Sequence, residues 1–319
     1  MRSFQQFVYD QVRHPNYSIP FGRWRTRVFK ALFGVIRRWR DPLVIDSIGG
    51  TRMFLPYSHE LPVILKYNRF YASNVVRIAK RVSEKYPEMT VIDVGANIGD
   101  TAAFLRGELD NPILCVEGDP GYFEILSCNA DSLPDVESVR VCLGDREGGV
   151  AARFVQTGGT GRLAAAADGS AEIRTETLSG LAARHPRFAD AKLVKVDTDG
   201  YDVKVLRGGL EWFRESRPVL FFEYDPDLLR DPEDSGLRVF KMCQSVGYSH
   251  GLFYDNTGRL LLSTELRQSR ALRQLRSAFC GGNDGRYMDV CLFHSVDRDL
   301  FEAIAEAETV HFERATRPA

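Results

Sequence analysis

The chain has 319 residues, 44% hydrophobic and 27% charged, with a formal net charge of −1. Those fractions fit a globular enzyme and exclude a largely disordered chain, and near-neutrality excludes a whole-surface electrostatic trap for nucleic acid. No apolar run approaches the ~20 residues that span a bilayer, and residues 1–13 hold no secretory apolar core.

Residues 1 to about 45 are basic and aromatic. Arg23, Arg25, Arg27, Lys30, Arg37, Arg38 and Arg40 crowd one stretch, with Trp24, Val28, Leu32, Val35 and Trp39 between them at helical spacing. The pattern predicts an amphipathic helix. Such a helix either attaches to an anionic membrane or an acidic partner, or packs on its own domain with wet arginines. Residues 59–86 also read as helical, with Leu61, Ile64, Leu65, Val75, Val76, Ile78, Ala79 and Val82 as the apolar set. Pro62 suits a first turn and Pro87 closes the segment.

From residue 90 the pattern alternates. Strands are predicted at 90–94, 113–116, 139–143, 193–196 and 219–222, and helices at 98–107, 121–130, 203–213 and 237–246. An irregular stretch follows the third strand, through Gly158, Gly159, Gly161 and Gly169. The strands are short continuous apolar runs, as expected where both faces are covered, so the fold class is α/β with a doubly wound, mostly parallel sheet. Residues 252–254 and 260–262 flank a turn at 255–258 as a hairpin, and 288–293 form a last strand, which predicts an antiparallel C-terminal edge. The expected division is an N-terminal helical extension (1–58), a main domain (59–296) and a helical tail (297–319). The six cysteines form no Cys-x-x-Cys pair. Buried free thiols in a reducing cytosol are the simplest account, with no zinc site.

In such a sheet, ligands bind at the carboxyl ends of the strands. The loop after the first strand is Gly95-Ala96-Asn97-Ile98-Gly99-Asp100, preceded by Asp93. Its glycines allow close approach, and the next helix points free N–H groups at the ligand. A dinucleotide site would have glycine where Asn97 stands, and Asp100 would repel a pyrophosphate. The acids suit a ligand with positive charge and one carboxylate, as in S-adenosylmethionine. Glu117, at the end of the second strand, is placed to accept from two ribose hydroxyls, with Gly118 beside it. After the third strand, Gly144 would lie beside an adenine ring; Asp145 either accepts from its amino group or caps the turn.

The residues at this point resemble the FkbM family of methyltransferases. The matching blocks are Val91-Ile92-Asp93-Val94-Gly95-Ala96-Asn97-Ile98-Gly99, Val116-Glu117-Gly118-Asp119-Pro120, Glu176-Thr177-Leu178, Leu193-Val194-Lys195-Val196-Asp197-Thr198-Asp199-Gly200, Val205-Leu206-Arg207-Gly208 and Arg217-Pro218-Val219-Leu220-Phe221-Phe222-Glu223. They stand in the family's order over residues 90–225. The resemblance implies a class I methyltransferase fold, S-adenosylmethionine as cofactor, and O-methylation of a small molecule or glycan. It places Gly95, Asn97, Glu117 and Asp145 on cofactor positions and Asp197 at the substrate-facing end of the fourth strand. The chain departs from the family at Gly118, often Pro, at Asp199, often Glu, and at Ser179, often Asp.

A hydroxyl acceptor benefits from a general base, typically worth ~10²–10⁴-fold. The candidates are Asp197, Asp199 and Glu223, with His59 as another. Each also has an ordinary reading: Asp199 as a helix cap, Glu223 as a partner of Arg217, His59 as structural. The same three acids would suit magnesium or calcium, although Tyr201 and Gly200 spoil a calcium loop. Acceptor contacts are expected from residues 156–170, the segment near His59 and the loop after Glu223. A nicotinamide oxidoreductase, a non-catalytic binding protein and a nucleic-acid methyltransferase are the competing functions. The expected location is the cytoplasm, with peripheral membrane attachment through the basic helix.

Overall fold

The computed structural model describes residues 3–13, 23–68, 70–165, 172–229, 234, 236–280 and 287–315. Helices α1 (Phe4–Arg13) and α2 (Arg23–Trp39) lead into a hairpin of β1 (Leu43–Ile48) and β2 (Thr51–Pro56). The hairpin was not apparent in the sequence. It alternates buried and exposed residues, and Val44, Ile48, Met53 and Leu55 point into the main core. Phe29, Leu32, Phe33 and Ile36 of α2 pack against the same core. The extension therefore shares its packing with the rest of the chain.

The expected single helix over 59–86 is two, α3 (Leu61–Tyr67) and α4 (Ser73–Lys85). Pro62 sits in the first turn of α3, and the break comes at Ala72, whose φ of 54° is left-handed. Then follow β3 (Val91–Val94), α5 (Asp100–Arg106), β4 (Ile113–Glu117), α6 (Pro120–Ala130) and β5 (Val136–Arg140). The strand expected at 139–143 divides. Its first part belongs to β5, while β6 (Cys142–Gly144) joins a second sheet. The stretch expected to be irregular holds β7 (Gly148–Thr157), β8 (Thr160–Ala165) and β9 (Glu172–Thr177). With β6 they form a four-stranded sheet in the order β6-β9-β7-β8. Gly169 lies outside the described residues.

The chain continues through α7 (Leu178–Arg184), β10 (Leu193–Val196), α8 (Asp202–Gly208), α9 (Leu210–Ser216), β11 (Val219–Tyr224), α10 (Arg238–Gln244), β12 (Tyr248–Asp255), β13 (Leu260–Glu265), α11 (Ser269–Ser277), β14 (Met288–His294) and α12 (Arg298–Ala315). The helix expected over 203–213 is thus divided at Gly209. The main sheet has eight strands in the order β13-β12-β14-β11-β10-β3-β4-β5. The five from β11 to β5 are parallel, and β14, β12 and β13 form the antiparallel edge. This is the class I methyltransferase arrangement that the resemblance implied.

Successive side chains of a strand point to opposite faces. Val91, Ile113, Leu193 and Val219 enter one core with α4 and α12, whereas Ile92, Leu114, Val194 and Leu220 enter the other with α7, α8 and α10. Strand order reverses between β3 and β10, which opens a crevice at their carboxyl ends. All six cysteines are free, with Cys115, Cys243 and Cys291 buried. Among the described residues, no helix is long and apolar enough to cross a membrane.

Candidate functional site

The crevice is a cavity of about 240 Å³ at the carboxyl ends of β3, β4, β10 and β11. Its first wall is the loop after β3. Gly95 has φ +76°, and a Cβ there would stand 1.8 Å from the carbonyl oxygen of Asp197. Only glycine lets the loops after β3 and β10 approach this closely. Gly95 and Ala96 donate their N–H groups to the Val116 carbonyl, which ties the loop to β4. Gly99, at φ +89°, precedes α5.

Glu117 organises the next wall. One carboxylate oxygen accepts from the Asn97 N–H and the other from the Asp119 N–H, both at 2.8 Å. Burial pushes its pKa up to about 7 against those backbone donors. Gly118 explains itself by crowding: a Cβ there would meet Cys142 Sγ at 2.6 Å. Asp119 then caps α6 by accepting from Gly121 and Tyr122.

His59 faces this loop, but not as a free base. Its Nδ1 accepts from the Leu61 N–H at 3.2 Å, so Nε2 carries the proton and faces Asn97 Oδ1 at 3.3 Å. Burial lowers its pKa. With both nitrogens engaged, the base role expected of His59 gives way to a structural one. Asn97 also donates to the Gly159 carbonyl at 2.8 Å, which fastens the tip of the β7–β8 hairpin over the loop. Gly158, Gly159, Thr160, Gly161 and Leu163 thereby line the cavity. The glycine-rich segment does reach the site, as a hairpin.

The opposite wall is acidic. Asp197, Asp199 and Glu223 all line the cavity. Burial and the charge of Asp197 push Asp199 up to about 7. Burial, and then the carboxylates of Asp197, Asp202, Asp199 and Asp289, hold Glu223 well above the usual range. Asp199 is not the cap expected of it: Tyr201 stands at the N-cap of α8 and no side chain caps the helix, while Asp202 closes the preceding loop by accepting from the Thr198 and Gly200 N–H groups at 3.1 and 3.0 Å. Asp199 itself has φ 51°, a left-handed turn that carries its side chain to the cavity.

Lys195 went unassigned in the sequence. It pairs across the sheet with Asp93, and its Nζ lies 3.1 Å from Asp93 and 3.2 Å from Asp197. Burial alone would lower its pKa; the charges of Asp197, Asp93 and Asp100 outweigh that and raise it. Asp93 is fully buried and does not line the cavity, so its task is to hold Lys195. Tyr71 was also missed; its hydroxyl donates to Asp100 at 3.1 Å. The clue in the sequence was a lysine inside an otherwise apolar strand.

Two residues expected at the cofactor lie off the cavity wall. Asp145 pairs with Arg207 at 3.2 Å, and neither it nor Gly144 lines the cavity. The break between β5 and β6 brings Val141, Cys142 and Leu143 to the wall instead. Ser179, where the family often has aspartate, accepts from the Trp212 N–H at 3.4 Å. Among the described residues, no group of three His, Cys, Asp or Glu is arranged to hold a metal ion.

Residues 93–249 match the model of the methyltransferase FkbM domain. The chain carries an FkbM methyltransferase domain. No curated protein matches it. Solved structures similar to the chain include the methyltransferase FkbM from Methylobacillus flagellatus KT, at 14% identity and TM-score 0.33 over 52% of this chain and 40% of that one. Trm5b from Pyrococcus abyssi shows 11% identity and TM-score 0.43 over 80% and 56%. A SAM-dependent methyltransferase from Aquifex aeolicus shows 11% and 0.34 over 65% and 82%. The chain thus spans 40% of the length of the Methylobacillus protein.

The cofactor of the FkbM domain is S-adenosylmethionine. The residues present fit it. Gly95 leaves the space a Cβ would fill, and Glu117 keeps lone pairs beyond its two backbone bonds that would accept from ribose hydroxyls. Val116, Val141, Leu143, Phe154 and Leu163 give apolar walls for a flat ring. Asp197 would offer its carboxylate to the ammonium and sulfonium groups.

Proposed function

We propose that this FkbM-domain protein transfers the methyl group of S-adenosylmethionine to a hydroxyl, on a sugar of a polysaccharide, glycolipid or secondary metabolite. The observation that carries this reading is Asp199, on the cavity wall and pushed up to about 7. A carboxylate that exchanges its proton near neutral pH is suited to take one from an attacking hydroxyl. Bound S-adenosylmethionine supplies a methyl group on a sulfonium that leaves as a neutral thioether, so no acid is required. With the cofactor held there, its methyl would pass from sulfur to the hydroxyl oxygen, and Asp199 would take the hydroxyl proton. Glu223, held towards its protonated form, donates a hydrogen bond that orients the acceptor. Asp197, held by Lys195 at 3.2 Å, would offer its carboxylate to the cationic groups of the cofactor.

The acidic wall disfavours a polyanionic acceptor, since the carboxylates of Asp197 and Asp199 would repel phosphodiesters. This supports a neutral acceptor over RNA. The test is label transfer from methyl-labelled S-adenosylmethionine to a panel of monosaccharides, lipid-linked saccharides, polyketides and RNA. Label in an alkali-stable ether of a sugar supports the reading. Label confined to RNA, or to nitrogen or carbon, overturns it.

A further inference from the structure

The inner face of α2 is used in packing: Phe29, Leu32, Phe33 and Ile36 meet the core. Its outer face carries two further lines of residues. Val28, Val35 and Trp39 follow one another at spacings that share a helix face, and they are 44%, 61% and 87% exposed. Beside them run Arg27, Lys30, Arg37 and Arg38, all exposed. Between residues 11 and 40 the sequence has no Asp or Glu. Phe4 and Phe7 of α1, at 60% and 43% exposure, extend the apolar line, and Phe7 meets Phe29 edge to face at 5.7 Å.

We propose that the outer face of α2, with Phe4 and Phe7, docks on a membrane surface of anionic lipid. Apolar side chains on one line and cationic chains beside them suit the headgroup boundary, where aromatic rings enter and arginine stems reach back to phosphate. Charge complementarity selects the lipid: a cluster of basic residues with no acid among them binds anionic headgroups, and each contributes severalfold to affinity. A Trp at 87% exposure on a convex helix fits a planar soft surface rather than a protein pocket.

The same helix leads to the cavity. Phe33 stacks on Tyr57 at 4.2 Å, and Arg13, at the end of α1, donates to the carbonyl of His59 at 3.2 Å. His59 lines the cavity. Docking through α1 and α2 thus holds the His59 wall of the site near the membrane, within reach of an acceptor anchored there.

The test is co-sedimentation of the full chain with phosphatidylcholine vesicles, with and without phosphatidylglycerol. It requires neither cofactor nor acceptor, so its failure leaves the methyl-transfer reading standing. Anionic vesicles should bind at least ~10-fold more tightly than neutral ones, with the difference lost at high salt. Arg37→Glu with Arg38→Glu should weaken binding at least ~10-fold with an unchanged melting temperature. Arg27→Glu with Lys30→Glu serves equally if the first pair fails to fold. Trp39 should report binding as a blue shift absent from Trp39→Ala. Equal binding to both vesicles, no binding to either, or binding that both charge-reversed pairs retain would overturn the proposal.

Discussion

Gly95 and Asp197 stand so close that a Cβ on the first would lie 1.8 Å from the carbonyl oxygen of the second. That contact joins the loop after β3 to the loop after β10, and it puts the cofactor loop against the acidic wall. Gly95→Ala must part the loops and also strain a residue at φ +76°. We expect a loss of about 2–3 kcal/mol in stability. Cofactor affinity should fall at least ~10-fold. Urea unfolding and titration calorimetry check the two parts.

Glu117 serves the protein before it serves a ligand, because both its oxygens hold backbone N–H groups of the surrounding loops. Charge-assisted hydrogen bonds contribute about 1.5–3 kcal/mol each. Glu117→Ala should therefore weaken S-adenosylmethionine binding at least ~10-fold, read by calorimetry. An unchanged dissociation constant would remove Glu117 from the site.

Lys195 lies between Asp93 and Asp197 in the middle of the sheet. Lys195→Met leaves Asp93 fully buried without its cation. Breaking a buried pair from one side costs about 3–5 kcal/mol. The double variant Lys195→Met/Asp93→Asn should recover part of that loss. Denaturant unfolding of the three proteins measures it, and additive losses would contradict the pairing.

Glu117, Asp199, Asp202 and Asp289 are each pushed up to about 7. Their unfolded values are near 4, so between pH ~4 and ~7 the folded chain binds more protons than the unfolded one. Their contribution is fully present at the acid end of that window and is lost as pH rises through ~7. Unfolding free energies should accordingly fall between pH ~5 and ~8, less steeply in Asp199→Asn. The methylation rate should rise through the same ~7 as Asp199 ionises, and Asp199→Asn should lower kcat ~10²-fold or more while leaving cofactor affinity within ~3-fold.

The parallel sheet was legible because its strands are uninterrupted apolar runs between glycine loops and helices, and Asp93–Gly99 marks the loop at its switch point. The smaller sheet was not. Residues 148–165 are rich in Gly, Ala and Arg, so no alternation of large apolar side chains announces β7 and β8. Asp145 lies off the cavity wall for a related reason. A continuous strand through 143 would have brought it to the crevice, but the chain leaves the main sheet after Arg140 and turns Asp145 to Arg207. Lys195 escaped because spacing along one strand says nothing of the residue across from it. Its partner, Asp93, lies 102 positions earlier. His59 reads as a free base until the fold supplies Leu61 and Asn97 to its two nitrogens.

We expect the cavity bounded by Gly95, Glu117 and Asp197 to hold S-adenosylmethionine. The most direct test is the melting temperature of the protein with S-adenosylmethionine, S-adenosylhomocysteine or NAD at equal concentration. A ligand at a hundred times its dissociation constant adds ~2.7 kcal/mol, several degrees for a chain of this size. The first two should stabilise the protein, NAD should not, and Gly95→Ala should cut the shift to about half or less. Stabilisation by NAD alone, or no shift with either sulfur ligand, would contradict it.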